Sequence, residues 1–200
     1  YRFLGDDAFI SFRYAKHFVE GHGLVWNPGE PVEGYTNFLW VLLMAATIEL
    51  GLSVEVVSQA IGIASGACVI AMVTWAGSCS MSWKNPLIWV APLALASSRT
   101  FTAWSTGGLE TMFFVLVVYL AYARFFEERR RDISAPFVSS LFCAAAALTR
   151  PEGNPFALVA GGALLIDVQR GRRSVPTAIR WVVPFVTIVA AHALWRHSYY

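Results

Sequence analysis

Long apolar runs separated by short polar connections dominate the chain. No charged side chain occurs between residues 56 and 83 or between residues 111 and 123. Runs of this length are typical of membrane-spanning or fully buried helices. The pattern predicts seven hydrophobic segments, at residues 38–50, 54–78, 86–98, 108–123, 135–148, 155–166 and 181–195. Several hold only 12 to 15 strictly apolar residues. That is short of the roughly 20 that span a bilayer, so we expect polar flanks to extend them or some to be broken or re-entrant.

Composition places the chain in a membrane. Of its 200 residues, 56% are hydrophobic and 14% are charged, whereas soluble domains carry about a quarter charged residues. The 8 Trp, 7 Tyr and 14 Phe fit the aromatic belts of a bilayer protein. We therefore predict an all-α fold, a polytopic transmembrane helical bundle in the cell membrane, with residues 1–200 in a single domain. Because the chain starts at Tyr1 without Met and stops at Tyr200 just past an apolar run, we expect a longer protein with a first span before residue 1.

Charge and cysteine content exclude two classes of site. The formal net charge of +2 gives no basic footprint of the kind that binds nucleic acid, so we expect no nucleic-acid partner. The three cysteines, Cys68, Cys79 and Cys143, are scattered, and two lie inside apolar runs. They have neither zinc-site nor disulfide-framework spacing, so we expect them to pack as small hydrophobic side chains.

Arginines are concentrated in two connections, which carry eight of the fifteen Lys and Arg residues. By the positive-inside rule both connections face the cytoplasm. Residues 104–110, 150–154 and 196–200 are each one membrane crossing away from these connections. We therefore expect them to lie together on the extracytoplasmic side. The cytoplasmic arginines are Arg124, Arg129, Arg130 and Arg131 in the first connection, and Arg170, Arg172, Arg173 and Arg180 in the second.

Residues 1–35 share the extracytoplasmic side only if an even number of crossings separates Tyr35 from Trp104. Three hydrophobic segments lie between these two residues, so one of them must not span fully. We expect this to be segment 86–98, which is short and contains two prolines. Segment 38–50, with Glu49 near its end, is the alternative.

The stretch GDDAFISFRYA carries two adjacent carboxylates near the start of the chain. From Asp7 onward, apolar and polar positions separate onto two faces, which predicts an amphipathic helix lying in the membrane interface. One of Asp6 and Asp7 would cap this helix while the other complements its dipole, unless the pair has a catalytic role. The rest of this loop is rich in carboxylates, aromatics, Asn and Gly, as expected of a sugar-binding surface. The apolar face holds Ile10, Tyr14 and Phe18, and the polar face holds Arg13, Lys16, His17 and Glu20.

Three further charged residues lie at predicted helix ends on the same side. Glu110 begins an uncharged run, where it either complements the helix dipole or faces a cavity as a functional acid. Arg150 either pairs with Glu152 in a turn or grips a phosphate, since its guanidinium fork suits two phosphate oxygens. Arg196 lies in WRHSYY, which is either an aromatic-belt anchor or part of the same site.

Four blocks follow one another along the chain: GDDAFISFRYAKHFVEGHGLVWNPGEPVEGYTNFLW, STGGLET, LTRPEG and WRHSYY. In this order they resemble the GT-C superfamily of membrane glycosyltransferases, which use polyprenyl-phosphate sugars. Within it they are most similar to the bacterial terminal arabinofuranosyltransferase-like proteins of cell-wall biogenesis. The resemblance covers nearly the whole chain, but the family's first span, later spans and any soluble C-terminal domain are missing.

The resemblance implies a reaction on the outer face of the membrane. An acidic residue of the first external loop acts as catalytic base in the superfamily, which implies Asp6 or Asp7, with residues 1–35 as an extracytoplasmic catalytic loop. Arg150 and Arg196 would hold the donor phosphate. The implied partners are a polyprenyl-phosphate-linked sugar, a glycan or lipid acceptor and membrane lipid; the paired acids permit a divalent cation, with its ligands unknown. The expected substrate-binding residues are Arg13, His22, Asn27, Glu33, Tyr35, Asn37, Glu110 and Glu152.

Two other functions fit the hydrophobic pattern. A transporter or lipid flippase would show paired repeats and ionisable groups deep in a span. The unusual charges of this chain cluster at helix ends, with Glu49 and Asp167 as exceptions. A non-catalytic scaffold of a cell-envelope complex would share the pattern, but could lose Asp6 and Asp7 without loss of activity.

Overall fold

The computed structural model describes residues 4–131 and 138–200. Within these ranges the chain forms nine α-helices, one short 3₁₀ helix at Pro86–Trp89 and no strand, which confirms the all-α fold. The helices are α1 (Ala8–Val19), α2 (Phe38–Glu49), α3 (Val54–Ser80), α4 (Val90–Ser97), α5 (Arg99–Thr106), α6 (Thr111–Arg130), α7 (Val138–Thr149), α8 (Gly153–Gln169) and α9 (Val175–Tyr199).

The predicted hydrophobic segments all coincide with helices. Segment 135–148 begins outside the described residues, and its described part lies in α7. The pattern did not predict α5, because polar residues interrupt its sequence RTFTAWST. Ser98 starts this helix, since its hydroxyl accepts a hydrogen bond from the N–H of Phe101 at 3.3 Å and so satisfies one free donor of the first turn.

Two helices, α3 and α9, are long and apolar enough to cross a membrane. A third candidate combines α5 and α6, which meet at an angle of 105°. The apolar helices α2 and α7 are shorter, as is the apolar stretch Pro86–Ser97. Two to three candidate spans are therefore present among the described residues, and the multi-pass arrangement stays a prediction.

The chain from Pro86 to Thr106 runs back along α3. A side chain at Gly77, near the end of α3, would meet Ile88, whereas one at Gly66 would meet Ser105. Nearer the start of α3, the Gln59 side-chain amide donates to the Thr106 carbonyl at 3.0 Å. By contrast α2 has 12 residues, about 18 Å of helix, against a hydrocarbon core of about 30 Å. Both α2 and the stretch Pro86–Ser97 are shorter than a span, so the choice between segments 86–98 and 38–50 as the one that does not span stays a prediction.

Two hydrophobic clusters hold the helices together. The first surrounds Tyr14, Trp40 and Met44, and it joins α1, α2 and the end of α9. The second surrounds Phe125 and Trp181, and it joins α6, α7, α8 and α9. Cys143 packs in this second cluster as predicted, but the prediction was wrong for the other two cysteines, which are exposed on α3.

Helix α1 forms as predicted but buries a different face. Of the predicted apolar stripe only Tyr14 is fully buried, while Ile10 is partly buried and Phe18 is 45% exposed. Small side chains at Ala8 and Ala15 let α1 pack closely against α2. The predicted stripe consisted of large hydrophobic residues, so it did not identify this face. The buried residues of α1 are Ala8, Ser11, Phe12, Tyr14 and Ala15.

Candidate functional site

A cavity of about 320 Å³ opens where the start of α1, the entry to α2, the α5–α6 turn and the α7–α8 turn meet. Its volume is at the lower end of those of ligand pockets. Parts of the predicted outer connections 104–110 and 150–154 meet at this cavity together with residues 34–37, whereas residues 196–200 do not line it. The extracytoplasmic position of these connections stays a prediction. Of the predicted site residues, those lining the cavity are Asp7, Tyr35, Asn37, Glu110 and Arg150.

Glu110 is the buried centre of this site, with 6% of its surface exposed. Its Oε1 accepts a hydrogen bond from Nη1 of Arg150 at 2.8 Å, and its Oε2 accepts one from Nδ2 of Asn37 at 2.8 Å. The same Asn37 nitrogen donates to Oγ of Ser11 at 2.9 Å. Burying a carboxylate is costly unless it is paired and hydrogen-bonded, and here both oxygens have partners.

A glycine turn aims Glu110 into the cavity. Gly108 has φ +75°, a conformation that glycine adopts without strain, and it makes the sharp bend between α5 and α6. The N–H of Gly5 donates to the carbonyl of Gly107 at 2.9 Å. The start of α1 is thereby fixed beside the head of α6.

Close packing of α7 on α8 positions Arg150. A Cβ on Gly153 would overlap the backbone of Ala146 and Ala147, so only glycine lets α8 begin in contact with α7. Pro151 lies in the turn between these helices, and the N–H of Gly153 donates to the Arg150 carbonyl at 2.9 Å. Arg150 is thus held at a tight turn facing α6.

Arg150 lies between two carboxylates. Besides its contact with Glu110, its Nη2 and Nε donate to the carboxylate of Glu152 at 3.0 and 3.4 Å. The hydrogen bond to Glu152 is the main cause that raises the pKa of Arg150, and the same guanidinium lowers the pKa of Glu152. The predicted turn pair therefore exists. Since a guanidinium has five N–H donors and three are used here, two remain for a ligand.

The two adjacent acids occupy different environments. Asp7 is the residue before α1, but its side chain makes no capping hydrogen bond, so the expected cap is absent there. Asp7 is exposed and lines the cavity. Asp6 is exposed as well, and it is not one of the lining residues. Of the two, only Asp7 is placed beside Glu110 and Arg150.

Three predicted sugar-binding residues instead brace the loop after α1. The Arg13 guanidinium stacks 4.3 Å from the ring centre of Trp26 and donates to the Trp26 carbonyl at 2.9 Å. It also donates to Oδ1 of Asn27 at 3.1 Å. His22 packs edge-on against His17 at 5.9 Å. These contacts fold the loop back onto α1, and none of the three predicted residues lines the cavity.

Arg196 contacts the loop rather than the cavity. Its Nε donates to the carboxylate of Glu33, and Arg196 is not a lining residue. Next to it, the Tyr199 hydroxyl accepts from the N–H of Leu24 at 2.8 Å, and the Tyr200 hydroxyl donates to the carbonyl of the same residue at 2.6 Å. The end of α9 therefore holds residues 24–35 in place beside the site.

Ser11 and Trp104 line the cavity although neither was predicted as a site residue. Ser11 is buried on α1 and accepts from Asn37, and Trp104 lines the cavity with 44% of its surface exposed. Only the proximity of Trp104 to STGGLET hinted at a role. Across residues 4–131 and 138–200, no three His, Cys, Asp or Glu side chains form a group that could hold a metal ion; the divalent cation stays a prediction.

The chain matches no family model, no curated protein and no solved structure. The resemblance drawn from the four sequence blocks therefore stays a hypothesis, and no family is assigned.

Proposed function

We propose that this chain forms the catalytic region of a GT-C-like membrane glycosyltransferase. It would transfer a sugar from a polyprenyl-phosphate donor to a glycan or lipid acceptor on the extracytoplasmic face of the cell membrane. The observation that carries the proposal is the placement of the exposed Asp7 carboxylate on the same cavity as the Glu110–Arg150 pair.

The lining chemistry favours a ligand rich in hydroxyl groups. Two carboxylates, those of Asp7 and Glu110, line the cavity together with the guanidinium of Arg150, and Asn37 adds an amide. Carboxylates and amides accept and donate the hydrogen bonds that sugar hydroxyls make. Tyr35 and Trp104 supply aromatic surface beside them.

The proposed reaction uses Asp7 as general base. The acceptor hydroxyl oxygen attacks the anomeric carbon of the donor sugar and gives its proton to the Asp7 carboxylate. The bond between the anomeric carbon and the phosphate oxygen breaks, and its electron pair leaves with the lipid phosphate. The two unused N–H groups of Arg150 would stabilise the negative charge that develops on that phosphate.

Sugar transfer in membranes containing the full-length protein tests this proposal. A radiolabelled polyprenyl-phosphate sugar is the donor, and wild type is compared with Asp7→Asn and Asp6→Asn at matched expression. We expect Asp7→Asn to lower the rate by about 10²–10⁴-fold, as removal of a general base does. Asp6→Asn, the matched control one residue away and outside the cavity, should stay within a few-fold of wild type.

The other outcomes separate the competing functions. Equal transfer by all three proteins would show that Asp7 is not the base. A collapse in Asp6→Asn alone would move the base to the residue outside the cavity. No transfer by wild type across a panel of donor sugars would favour a transporter or a scaffold.

A further inference from the structure

A second cavity lies at the other end of α6 from Glu110. It measures about 410 Å³ and is formed by the last turn of α6, the end of α8 and the connection to α9. Four guanidinium groups line it against one carboxylate, a surplus of three positive charges. A concave surface with such a surplus attracts anions. We name it the arginine cleft; its residues are Arg129, Arg130, Asp167, Arg172 and Arg173.

Three side chains of the arginine cleft are held in place by partly buried hydrogen bonds. Asp167 is 4% exposed, and both of its oxygens accept from Arg129, whose Nε and Nη2 each lie at 2.8 Å. The Nη2 of Arg173 donates to the carbonyls of Glu128 and Arg129 at 2.9 Å, at the end of α6. A ligand entering the cleft therefore finds these side chains already ordered, which lowers the entropic cost of binding.

An apolar groove adjoins the arginine cleft. It has a volume of about 850 Å³ and lies between α3 and α6, with Phe142 of α7 at its edge. Trp75 and Phe126 line it, and they are 64% and 58% exposed. Arg130 lines both the groove and the arginine cleft. The cationic cleft and the mainly apolar groove therefore meet at Arg130.

We propose that this site binds an anionic phospholipid. Its phosphate group occupies the arginine cleft, and one acyl chain lies along the groove between α3 and α6. The surplus positive charge selects a lipid with a net negative headgroup over a zwitterionic one of the same chain length. A free phosphate would leave the exposed aromatic wall of the groove uncovered. This site is separate from the cavity at Glu110, so it stands or falls independently of the proposed enzymatic activity.

Lipid binding by the purified protein tests the proposal. The protein in detergent is titrated with phosphatidylglycerol or with phosphatidylcholine of identical chains, and bound lipid is counted by native mass spectrometry. We expect phosphatidylglycerol to bind at least about tenfold more tightly. Arg130→Gln should weaken it about fivefold, as loss of one basic residue near a lipid headgroup does. Lys84→Gln is the matched control, because Lys84 is exposed in the connection after α3 and lies outside both surfaces.

A second variant tests the groove. Ala76 lines it on α3, and Ala76→Trp fills it without changing the charge of the cleft. We expect Ala76→Trp to weaken phosphatidylglycerol binding severalfold while its unfolding midpoint stays near that of wild type. Equal affinity for the two lipids would overturn the proposal. So would equal losses in Arg130→Gln and Lys84→Gln, or inorganic phosphate that competes as well as phosphatidylglycerol at equal concentration.

Discussion

Arg150 and Glu110, 40 residues apart in the chain, form an ion pair in which Nη1 lies 2.8 Å from Oε1. The Glu110 side chain is 8% exposed and that of Arg150 is 32% exposed. The pair joins the head of α6 to the turn between α7 and α8. The same contact therefore stabilises the fold and shapes the wall of the cavity.

Replacing Glu110 by Gln should destabilise the protein. The Gln amide keeps the shape of the Glu110 side chain but removes the negative charge that pairs with Arg150. We expect the free energy of unfolding to fall by about 1–3 kcal/mol. Thermal unfolding in detergent, followed by circular dichroism, should show a midpoint several degrees lower. Glu152→Gln is the control, since the Glu152 side chain is 57% exposed and exposed pairs contribute only about 0–1 kcal/mol. Equal shifts in the two variants would contradict a special role for the buried partner.

Adding a methyl group at Gly153 should separate α8 from α7. Its Cβ would meet the backbone of Ala146 and Ala147, and backbone cannot move aside as a side chain can, so we expect a loss of about 1–3 kcal/mol. The shift should also displace Arg150. Gly162→Ala in the same helix is the control, because nothing lies within 4 Å of its Cβ position and alanine is the better helix former. The measurement is the unfolding midpoint of both variants. A midpoint of Gly153→Ala equal to that of wild type would mean that α7 and α8 are not in contact there.

Alkaline pH should destabilise the docking of the end of α9. Burial raises the pKa of Tyr200 to about 12, and burial followed by the hydrogen bond from Tyr200 raises the pKa of Tyr35. Because an unfolded tyrosine titrates near its ordinary value of 10.0, the contribution of Tyr200 is fully present below pH 10 and is lost as pH rises towards 12.

Comparison of wild type with Tyr200→Phe isolates this effect. Groups that do not contact Tyr200 contribute alike to both proteins between pH 10 and 12, so the difference reports Tyr200 together with its hydrogen-bond partner Tyr35. We expect the unfolding midpoint to fall more steeply with pH in wild type than in the variant. Parallel curves would show that the Tyr200 hydroxyl does not stay neutral in the folded state.

The helices could be predicted because their signal is local. An uncharged run such as that within α3 indicates burial or membrane contact by itself. Ionisable residues next to other apolar runs, such as Glu110 before α6 and Arg150 after α7, also stand out in the sequence. The partners of those residues could not be predicted. Nothing near Asn37 in the sequence indicates that its amide reaches both Ser11 and Glu110, because that contact depends on how α1, α2 and α6 pack.

Arg196 also shows that the contact partners of a residue cannot be predicted from the sequence around it. The family resemblance implied that Arg196 holds the donor phosphate; in the structure Glu33, 163 residues away, accepts a hydrogen bond from its guanidinium. Sequence spacing does not reveal which carboxylate will meet which guanidinium. The arginine cleft is another example. Sequence analysis placed Arg129 in a connection predicted to face the cytoplasm and noted Asp167 as an exception to the clustering of charges at helix ends, whereas the fold pairs the two residues.

The contact between the end of α9 and the loop before α2 yields a further prediction, because two glycines of this loop form a matched pair. Gly21 has φ +82° and Gly23 has φ +87°, so alanine should introduce backbone strain of about 1–2 kcal/mol at either position. A Cβ on Gly23 would also overlap the Tyr199 hydroxyl, which binds the N–H of Leu24, whereas nothing lies within 4 Å of a Cβ on Gly21. Gly23→Ala should therefore free the Leu24 amide, and hydrogen exchange of residues 22–35 should quicken about tenfold more than in Gly21→Ala. Equal exchange in the two variants would mean that strain alone matters and that Tyr199 does not hold the loop.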